Sequence, residues 1–143
     1  MTIAIRLAGP DDVEIALAMD PAAATSPHRA AWLRRAFAGE HGRVARLALL
    51  DGEPAGFAVV GWFFSNPFLD LIVTDARRLR QGVASALLDE IERAHAAQKL
   101  FVSTNVSNAI MRKLLPARGY LPAGHVDHLD PGDPELFFVR LPR

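Results

Sequence analysis

The sequence contains no cysteine and has no excess of either charge. Without thiols the chain cannot form disulfides, thiolate metal sites or a cysteine nucleophile. Lys plus Arg and Asp plus Glu each total 16 among 143 residues, so there is no global basic field of the kind that non-specific nucleic-acid binding requires. We therefore expect no nucleic-acid partner.

Three further absences narrow the possible classes of protein. The apolar stretch before Gly9 is too short for a signal sequence or a membrane span. No Gly-x-x-x-x-Gly-Lys-Ser/Thr, Gly-x-Gly-x-x-Gly or Gly-x-Ser-x-Gly occurs, which argues against common nucleotide-binding proteins and serine hydrolases. We expect a cytoplasmic protein that does not bind membranes. Half of the residues are hydrophobic, and the absence of repeats or linkers predicts one domain over residues 1–143.

Strand and helix signals alternate along the chain. The turn Asp51-Gly52 joins two apolar runs and predicts a hairpin. Apolar periodicity and breakers predict helices at 11–19, 28–38, 82–97 and 108–118, with a loop between the first two. Strands are predicted at 3–7, 43–50, 53–64, 68–74, 99–104, 125–129 and 135–141. This order predicts an α/β fold with a mixed sheet and helices on its faces.

The segment 71–88, LIVTDARRLRQGVASALL, has the pattern of an anion site. An apolar strand enters an arginine-rich loop, and a helix begins near Gly82. A helix N-terminus offers free N–H groups and a partial positive charge, and glycine lets a phosphate approach the backbone. Arg77, Arg78 and Arg80 add positive charge, and Ser85 adds a hydroxyl. The alternative is an ordinary helix start with solvated arginines.

Two motifs in this region resemble those of the GNAT acyltransferases. The hexapeptide 79–84, LRQGVA, is similar to the family's Arg/Gln-x-x-Gly-x-Gly/Ala, with Leu79 in place of the first donor. The second motif, Asn-x-x-Ala-x-x-Leu-Tyr-x-x-x-Gly-Phe, agrees at Asn108, Leu114 and Gly119. The resemblance implies a GNAT-like fold, which has a mostly antiparallel sheet of about seven strands, a splayed fourth and fifth strand, and helices on both faces.

The resemblance also implies an activity and its site. It implies an N-acyltransferase in which an amine attacks the thioester of acetyl-CoA directly, without a metal, so that positioning and oxyanion stabilisation supply the catalysis. The acceptor would be an amine of a small molecule or a peptide, and a homodimer is possible. The residues that would bind the coenzyme are Leu71, Ile72 and Val73 through backbone groups along the pantetheine arm, Arg78, Arg80, Gln81, Gly82, Val83, Ala84 and Ser85 around the pyrophosphate, and Asn108 beside the arm.

Asp70 is the predicted general base. It is the only charged residue in the apolar run 68–73, and a carboxylate in a strand beside a cleft can have a raised pKa suited to proton removal. The alternative is that Asp70 faces water or pairs with an arginine. The family's usual acid, a tyrosine, falls on Leu115, which cannot donate a proton, whereas Tyr120 matches the family's Phe and is expected to pack.

Two further interpretations stay open. His125, Asp127, His128 and Asp130 could suggest a metal cluster, but strand alternation would divide them between two faces, so we expect no metal site. They could instead help to select a polar or cationic acceptor, or form a solvated turn. Because Leu115 replaces the usual acid, the rival function is a non-catalytic acyl-CoA-binding or regulatory module.

Overall fold

The computed structural model describes all of residues 1–143 and contains one seven-stranded sheet. The strand order is β1-β2-β3-β4-β5-β7-β6, and only the β4–β5 pair is parallel. The predicted mixed, mostly antiparallel sheet is confirmed. The strands are β1 (Ile3–Ala8), β2 (Val44–Leu50), β3 (Glu53–Phe63), β4 (Asn66–Thr74), β5 (Leu100–Asn105), β6 (Leu121–Val126) and β7 (Glu135–Arg140). The helices are α1 (Val13–Met19), α2 (Pro21–Thr25), α3 (Pro27–Phe37), α4 (Val83–Ala94) and α5 (Ala109–Ala117).

Helices cover both faces of the sheet, as predicted. On one face, α4 and α5 pack against alternate residues of the strands in a cluster of 15 buried side chains, with Leu87, Ile91 and Leu115 fully buried. On the other face, α1 and α3 pack against β2 and β3 in a cluster of nine, which includes Leu33 and Phe57. Successive strand residues point to opposite faces, so β2, β3 and β4 contribute to both clusters. None of the helices has the length and apolarity needed to cross a membrane.

The β2–β3 hairpin has the predicted turn. Asp51 and Gly52 both have positive φ angles, 50° and 83°, as a two-residue turn of the primed type requires.

Two predicted elements are wrong in their position or type. Residues 21–25 form a short helix instead of a loop, because the Asp20 side chain accepts a hydrogen bond from the Ala22 N–H (3.1 Å) and Pro21 suits the first helical position. Strand β6 begins at Leu121 and ends at Val126, before most of the predicted 125–129. Pro122 is tolerated because β6 is an edge strand and its pairing with β7 is irregular after that residue.

Candidate active site

A cleft opens where β4 and β5 separate. These strands pair only through Phe68 with Phe101 and Leu69 with Val102, so the splayed pair is confirmed. Beyond Leu69, the edge of β4 has no neighbouring strand, and such an edge presents backbone N–H and C=O groups to a bound molecule. The cleft has a volume of about 210 Å³, and its lining includes Leu69, Asp70, Leu71, Ile72, Thr104, Asn108, Met111 and Glu135.

Asp70 lies in a β-bulge of β4. Val59 of β3 is paired with Leu71 and Val60 with Leu69, which leaves Asp70 without a partner in the register. A bulge redirects a side chain, and bulges are frequent beside active sites. Asp70 and Leu71 both line the β4–β5 cleft and also a second cavity on the side of α3.

Gly61 on β3 provides the space that the Asp70 carboxylate occupies. A Cβ atom at position 61 would overlap Oδ2 of Asp70 and lie 3.1 Å from its Cγ. Its three nearest atoms would all belong to the Asp70 carboxylate, so the absence of a side chain at Gly61 makes room for that group. The carboxylate therefore lies directly above the β3 backbone.

Arg43 holds the Asp70 carboxylate from the other side. Its Nε donates a hydrogen bond to Oδ2 of Asp70 at 3.2 Å, and its guanidinium lies 5.3 Å from the centroid of the Trp32 ring. Only 19% of the Asp70 side chain is exposed. Burial raises the pKa of Asp70, while the charge and hydrogen bond of Arg43 pull it back. Thus the predicted pKa shift and the alternative of an arginine pair are both present.

The second cavity adjoins the same carboxylate and has a volume of about 410 Å³. Trp32 and Arg29 contribute to its wall from α3, and Arg29 is fixed by an ion pair of 2.9 Å with the buried Asp20. Trp32 therefore lines the cavity and also packs against the cluster of buried side chains beneath α1 and α3. The cavity is lined by Ala22, Ser26, His28, Arg29, Trp32, Asp70 and Leu71.

The loop before α4 has the backbone geometry of an anion site. Gly82 caps the helix with φ 84°, and Arg80 also lies in the left-handed region, with φ 63°. The first intrahelical bond runs from Ala86 N–H to Gly82 C=O (3.0 Å). The N–H groups of Val83, Ala84 and Ser85 precede it and are free to donate to an anion.

The arginines of this loop are not equivalent. Arg77 is tied to Asp75 through its backbone N–H (3.0 Å) and its guanidinium (2.9 Å), which neutralises its charge. Arg80 is exposed, and Arg78 is half-buried in a separate cavity beside α1. Arg80 is therefore the more available charge beside the start of α4.

Gly56 on β3 allows the end of β4 and the start of α4 to lie close together. A Cβ atom there would lie 2.7 Å from Cγ1 of Val83 and 2.8 Å from the carbonyl oxygen of Val73. The absence of a side chain thus lets the start of α4 approach the end of β4. A larger residue would push the helix N-terminus away from the strand edge that lines the cleft.

Asn108 caps α5, since its side chain accepts a hydrogen bond from the Met111 N–H (3.1 Å), and it also lines the cleft. Neither Leu115, at the position of the family's acid, nor Tyr120 can donate a proton to the cleft, as the sequence predicts. Leu115 is fully buried in the core beneath α5. Tyr120 is 2% exposed and donates a hydrogen bond to the buried Glu92 (2.9 Å), and burial beside this carboxylate raises the pKa of Tyr120.

The histidine and aspartate residues of segment 125–130, which begins at the end of β6, do not converge. No group of three or more such side chains has the arrangement of a metal site. His125 and Asp127 form an exposed pair at 3.7 Å, while Asp130 accepts a hydrogen bond from Asn105 at 2.8 Å. Asp133 likewise holds Ser107, so these acidic side chains tie the loop between β6 and β7 to the end of β5.

Four residues of the site were missed by sequence reasoning or given a different role. Gly56 and Gly61 interrupt apolar β3, and an isolated glycine in a strand is a signal for a close approach of other atoms. That signal was available in the sequence. Arg43 and Trp32 gave no comparable signal, because the hydrogen bond from Arg43 to Asp70 and the position of Trp32 against Arg43 depend on how distant strands align and on the packing of α3.

Comparison with known proteins shows which family has a similar sequence and fold. The sequence matches the profile described as "Acetyltransferase (GNAT) family" over residues 13–120. Among solved structures, a GNAT-family acetyltransferase from Bacillus cereus ATCC 10987 is 30% identical, with a TM-score of 0.86, and the match covers 100% of this chain and 99% of that one. No curated protein sequence matches the chain significantly.

Two more distant structures share the fold. The ribosomal-protein-S18-alanine N-acetyltransferase of Escherichia coli is 21% identical, with a TM-score of 0.81 over 99% of this chain and 94% of the other. Arabidopsis thaliana NAA60, solved with a bisubstrate analogue, is 16% identical, with a TM-score of 0.76 over 97% of each chain.

Proposed function

Because the chain belongs to the acetyltransferase (GNAT) family, we propose that it transfers the acetyl group of acetyl-CoA to an amine acceptor. One observation carries the proposal. The β4–β5 cleft has a carboxylate with a raised pKa in its lining, and the start of α4, with its free N–H groups, follows the same strand β4. This arrangement suits a substrate that has an anionic end and a reactive end.

The coenzyme would be held mainly by backbone groups. The pyrophosphate would accept hydrogen bonds from the N–H groups at the start of α4, with Gly82 permitting close approach and Arg80 and Arg78 supplying charge. The pantetheine arm would lie along the open edge of β4, beside Asn108. In this proposal the coenzyme-binding residues are Leu71, Ile72, Val73, Arg78, Arg80, Gln81, Gly82, Val83, Ala84, Ser85 and Asn108.

The departure from the family motif at Leu79 fits this binding mode. Leu79 is 57% exposed and supplies no donor, so it removes one side-chain hydrogen bond without altering the backbone N–H groups that follow. Hydrogen bonds from the backbone at a helix N-terminus do not depend on side-chain identity. Coenzyme binding is therefore expected to tolerate leucine at this position.

The reaction would proceed by direct attack. Asp70 takes a proton from the ammonium, and the neutral amine nitrogen then forms a bond to the thioester carbonyl carbon. The carbon–sulfur bond breaks, and the nitrogen releases its second proton to water. Backbone N–H groups of Leu71 to Val73 would stabilise the oxyanion. The coenzyme leaves as a thiolate, which takes a proton from water. An ordinary thiol has a pKa of about 8.5, so the thiolate is a fair leaving group without an enzyme acid in the place of Leu115 or Tyr120.

Arg43 and Gly61 would act on the reaction through Asp70. Arg43 fixes one carboxylate oxygen, and the bulged strand leaves the other oxygen, Oδ1, without a protein donor. Burial keeps the pKa of Asp70 above its ordinary value, which makes the carboxylate a stronger base. Arg43 is therefore a positioning residue in this mechanism, and Asp70 is the base.

The class of acceptor is proposed from the family alone. The Escherichia coli neighbour is named for the acetylation of an alanine of a ribosomal protein. An amine of a peptide or of a small molecule is consistent with the exposed cleft and the adjacent cavity of about 410 Å³.

The second candidate function is an acyl-CoA-binding module without turnover, which is favoured by the buried Leu115 in the position of the family's acid. Turnover separates the two functions. The experiment is to mix the protein with acetyl-CoA and a panel of amines and to measure both free thiol and acetylated amine. Thiol release that depends on an amine supports the transferase. Binding of acetyl-CoA without amine-dependent release, for every class of amine, supports the module.

A further inference from the structure

Five phenylalanine residues form a cluster on the sheet surface. The ring of Phe63 lies at the centre, with centroid distances of 4.8 Å to Phe64, 5.3 Å to Phe101, 5.5 Å to Phe68 and 5.6 Å to Phe137. These rings come from β3, β4, β5, β7 and the β3–β4 turn. We call this group the phenylalanine cluster.

The phenylalanine cluster belongs to neither core. Phe57 and Val59 of β3 face α1 and α3, so Phe63 lies on the same face by alternation. On β5 and β7, the residues Val102 and Phe138 face α4 and α5, which places Phe101 and Phe137 on the opposite face. Helices α1 and α3 pack mainly on β2 and β3, and the four strand rings are only partly buried. The turn residue Phe64 is 85% exposed.

The cluster is adjacent to the Asp70 carboxylate. Phe68 is directly opposite Gly61 in the β3–β4 register, and the carboxylate lies above Gly61. Opposed residues of an antiparallel pair have their Cβ positions about 5 Å apart, so the carboxylate borders the Phe68 side chain. A molecule that binds Asp70 through nitrogen would therefore extend over aromatic rings.

The charges beside the cluster suit a cation. Glu135 lines the cleft and precedes Phe137 by two residues on the same face of β7. Asp70 stands on the other side of the cleft, in β4, and the charge of Arg43 is committed to it. Glu135, which forms no ion pair, and the free Oδ1 of Asp70, whose Oδ2 is held by Arg43, thus flank the aromatic surface. This combination favours a ligand with an ammonium group next to an apolar body.

We propose that the phenylalanine cluster binds an aromatic or similarly large apolar group of the acceptor, so that the preferred substrates are arylalkylamines. This inference rests on the proposed transferase function. The amine would meet Asp70, and the ring would lie over Phe68, Phe101 and Phe137. Rings pack favourably in edge-to-face and offset geometry, as those of the cluster already do.

The test compares 2-phenylethylamine with ethylamine, which has the same reacting nitrogen and no ring. With saturating acetyl-CoA, we expect wild-type kcat/KM to be at least about tenfold higher for 2-phenylethylamine, mostly through a lower KM, because burial of a phenyl group stabilises the bound state. In Phe137→Ala, this preference should fall to about threefold or less. Phe64→Ser is the second variant, since an exposed turn residue can be changed with little risk to folding, and it should lower the preference by a smaller factor. Leu7→Ser, which removes an exposed apolar residue from β1, is the control and should leave the preference unchanged.

The outcomes separate this inference from the proposed function. Transfer to both amines without a preference for the ring overturns the inference and leaves the transferase intact. Transfer to neither of these two amines overturns the inference, and the wider panel of amine classes then decides whether the transferase function stands. Equilibrium sedimentation adds an independent result: if wild type is a dimer that Phe64→Ser dissociates, with the amine preference unchanged, the cluster is an interface between two copies of the chain and the inference is wrong.

Discussion

Gly61→Ala should move the Asp70 carboxylate without changing any charge. The added methyl group would overlap Oδ2 and lie 3.1 Å from Cγ, and its three nearest atoms all belong to Asp70. The backbone at Gly61 does not need a positive φ, so alanine fits the strand itself. Relief of the overlap requires the carboxylate to shift by about 1 Å, because van der Waals contact is not restored by less.

The expected cost of this shift is large for catalysis and small for binding. A displacement of about 1 Å in a reacting group can reduce the rate about 100-fold, which corresponds to about 2.7 kcal/mol in the activation free energy. Coenzyme affinity should be unchanged, because Gly61 lies outside the residues proposed to bind acetyl-CoA. The assay is single-turnover thiol release with saturating acetyl-CoA and an amine substrate, together with a melting temperature to show that the variant is folded.

Two controls make the result specific. Gly9→Ala is the same substitution at a glycine without a positive φ and with no atom within 4 Å of the new methyl group, so it should not affect the rate. In an Asp70→Asn background, Gly61→Ala should add little, because coupled residues are not additive. A folded Gly61→Ala variant that retains chemistry within about threefold of wild type would refute the placement of the base at Asp70.

The other predictions concern the coenzyme loop, the base and the missing acid. Acetyl-CoA at about 100 times its Kd should stabilise the native state by about 2.7 kcal/mol and raise the Tm. The Gly82→Glu variant should stay folded without the coenzyme but should show no such rise in Tm. An unchanged rise in the folded variant would show that the α4 N-terminus is not part of the coenzyme site. Asp70→Asn should lower single-turnover kcat by about 100-fold to 10,000-fold with little change in coenzyme affinity, and a loss below about threefold would assign proton removal elsewhere. Burial raises the pKa of Asp70, so between its unfolded pKa of about 3.9 and its native value the unfolded chain binds fewer protons than the native state. The contribution of Asp70 to the free energy of unfolding therefore falls as the pH rises through this range. Denaturant unfolding should therefore show the stability of Asp70→Asn rising relative to that of wild type as the pH increases from about 4 to the native pKa of Asp70, and a difference that is independent of pH would contradict the shift. Leu115→Tyr should cost about 1–3 kcal/mol by overpacking a fully buried position and should not speed thiol release, whereas faster chemistry would show that the hydroxyl reaches the cleft.

Periodicity and turn chemistry predicted most of the fold because those signals are local. The Asp51-Gly52 hairpin needed only two residues with positive φ, and α4 needed only its apolar stripe and Gly82. Strand β6 was misplaced because Pro122 and Gly124 resemble breakers, and only its pairing with β7 reveals an edge strand. The order of the sheet and the splay came from the family resemblance, not from periodicity.

The candidate site was predictable to a lesser degree. The hexapeptide around Gly82 marks the helix start, and the left-handed φ angles at Arg80 and Gly82 agree with an irregular loop there. Asp70 stood out as one charge in an apolar strand. The surroundings of Asp70 could not be predicted from the sequence, because the bulge, the space above Gly61 and the contact with Arg43 all depend on how distant strands align. The phenylalanine cluster has the same origin, since four strands bring its rings together.

The central claim is that this chain is a transferase whose base is Asp70. The most direct measurement is a screen of amines with acetyl-CoA that quantifies free thiol and, by mass spectrometry, the acetylated amine, for wild type and Asp70→Asn in parallel. We expect thiol and acetylated amine to form in equal amounts with wild type, and the rate to fall by at least about 100-fold in Asp70→Asn. Equal rates for the two proteins, or binding of acetyl-CoA without any acetylated amine, would contradict the claim.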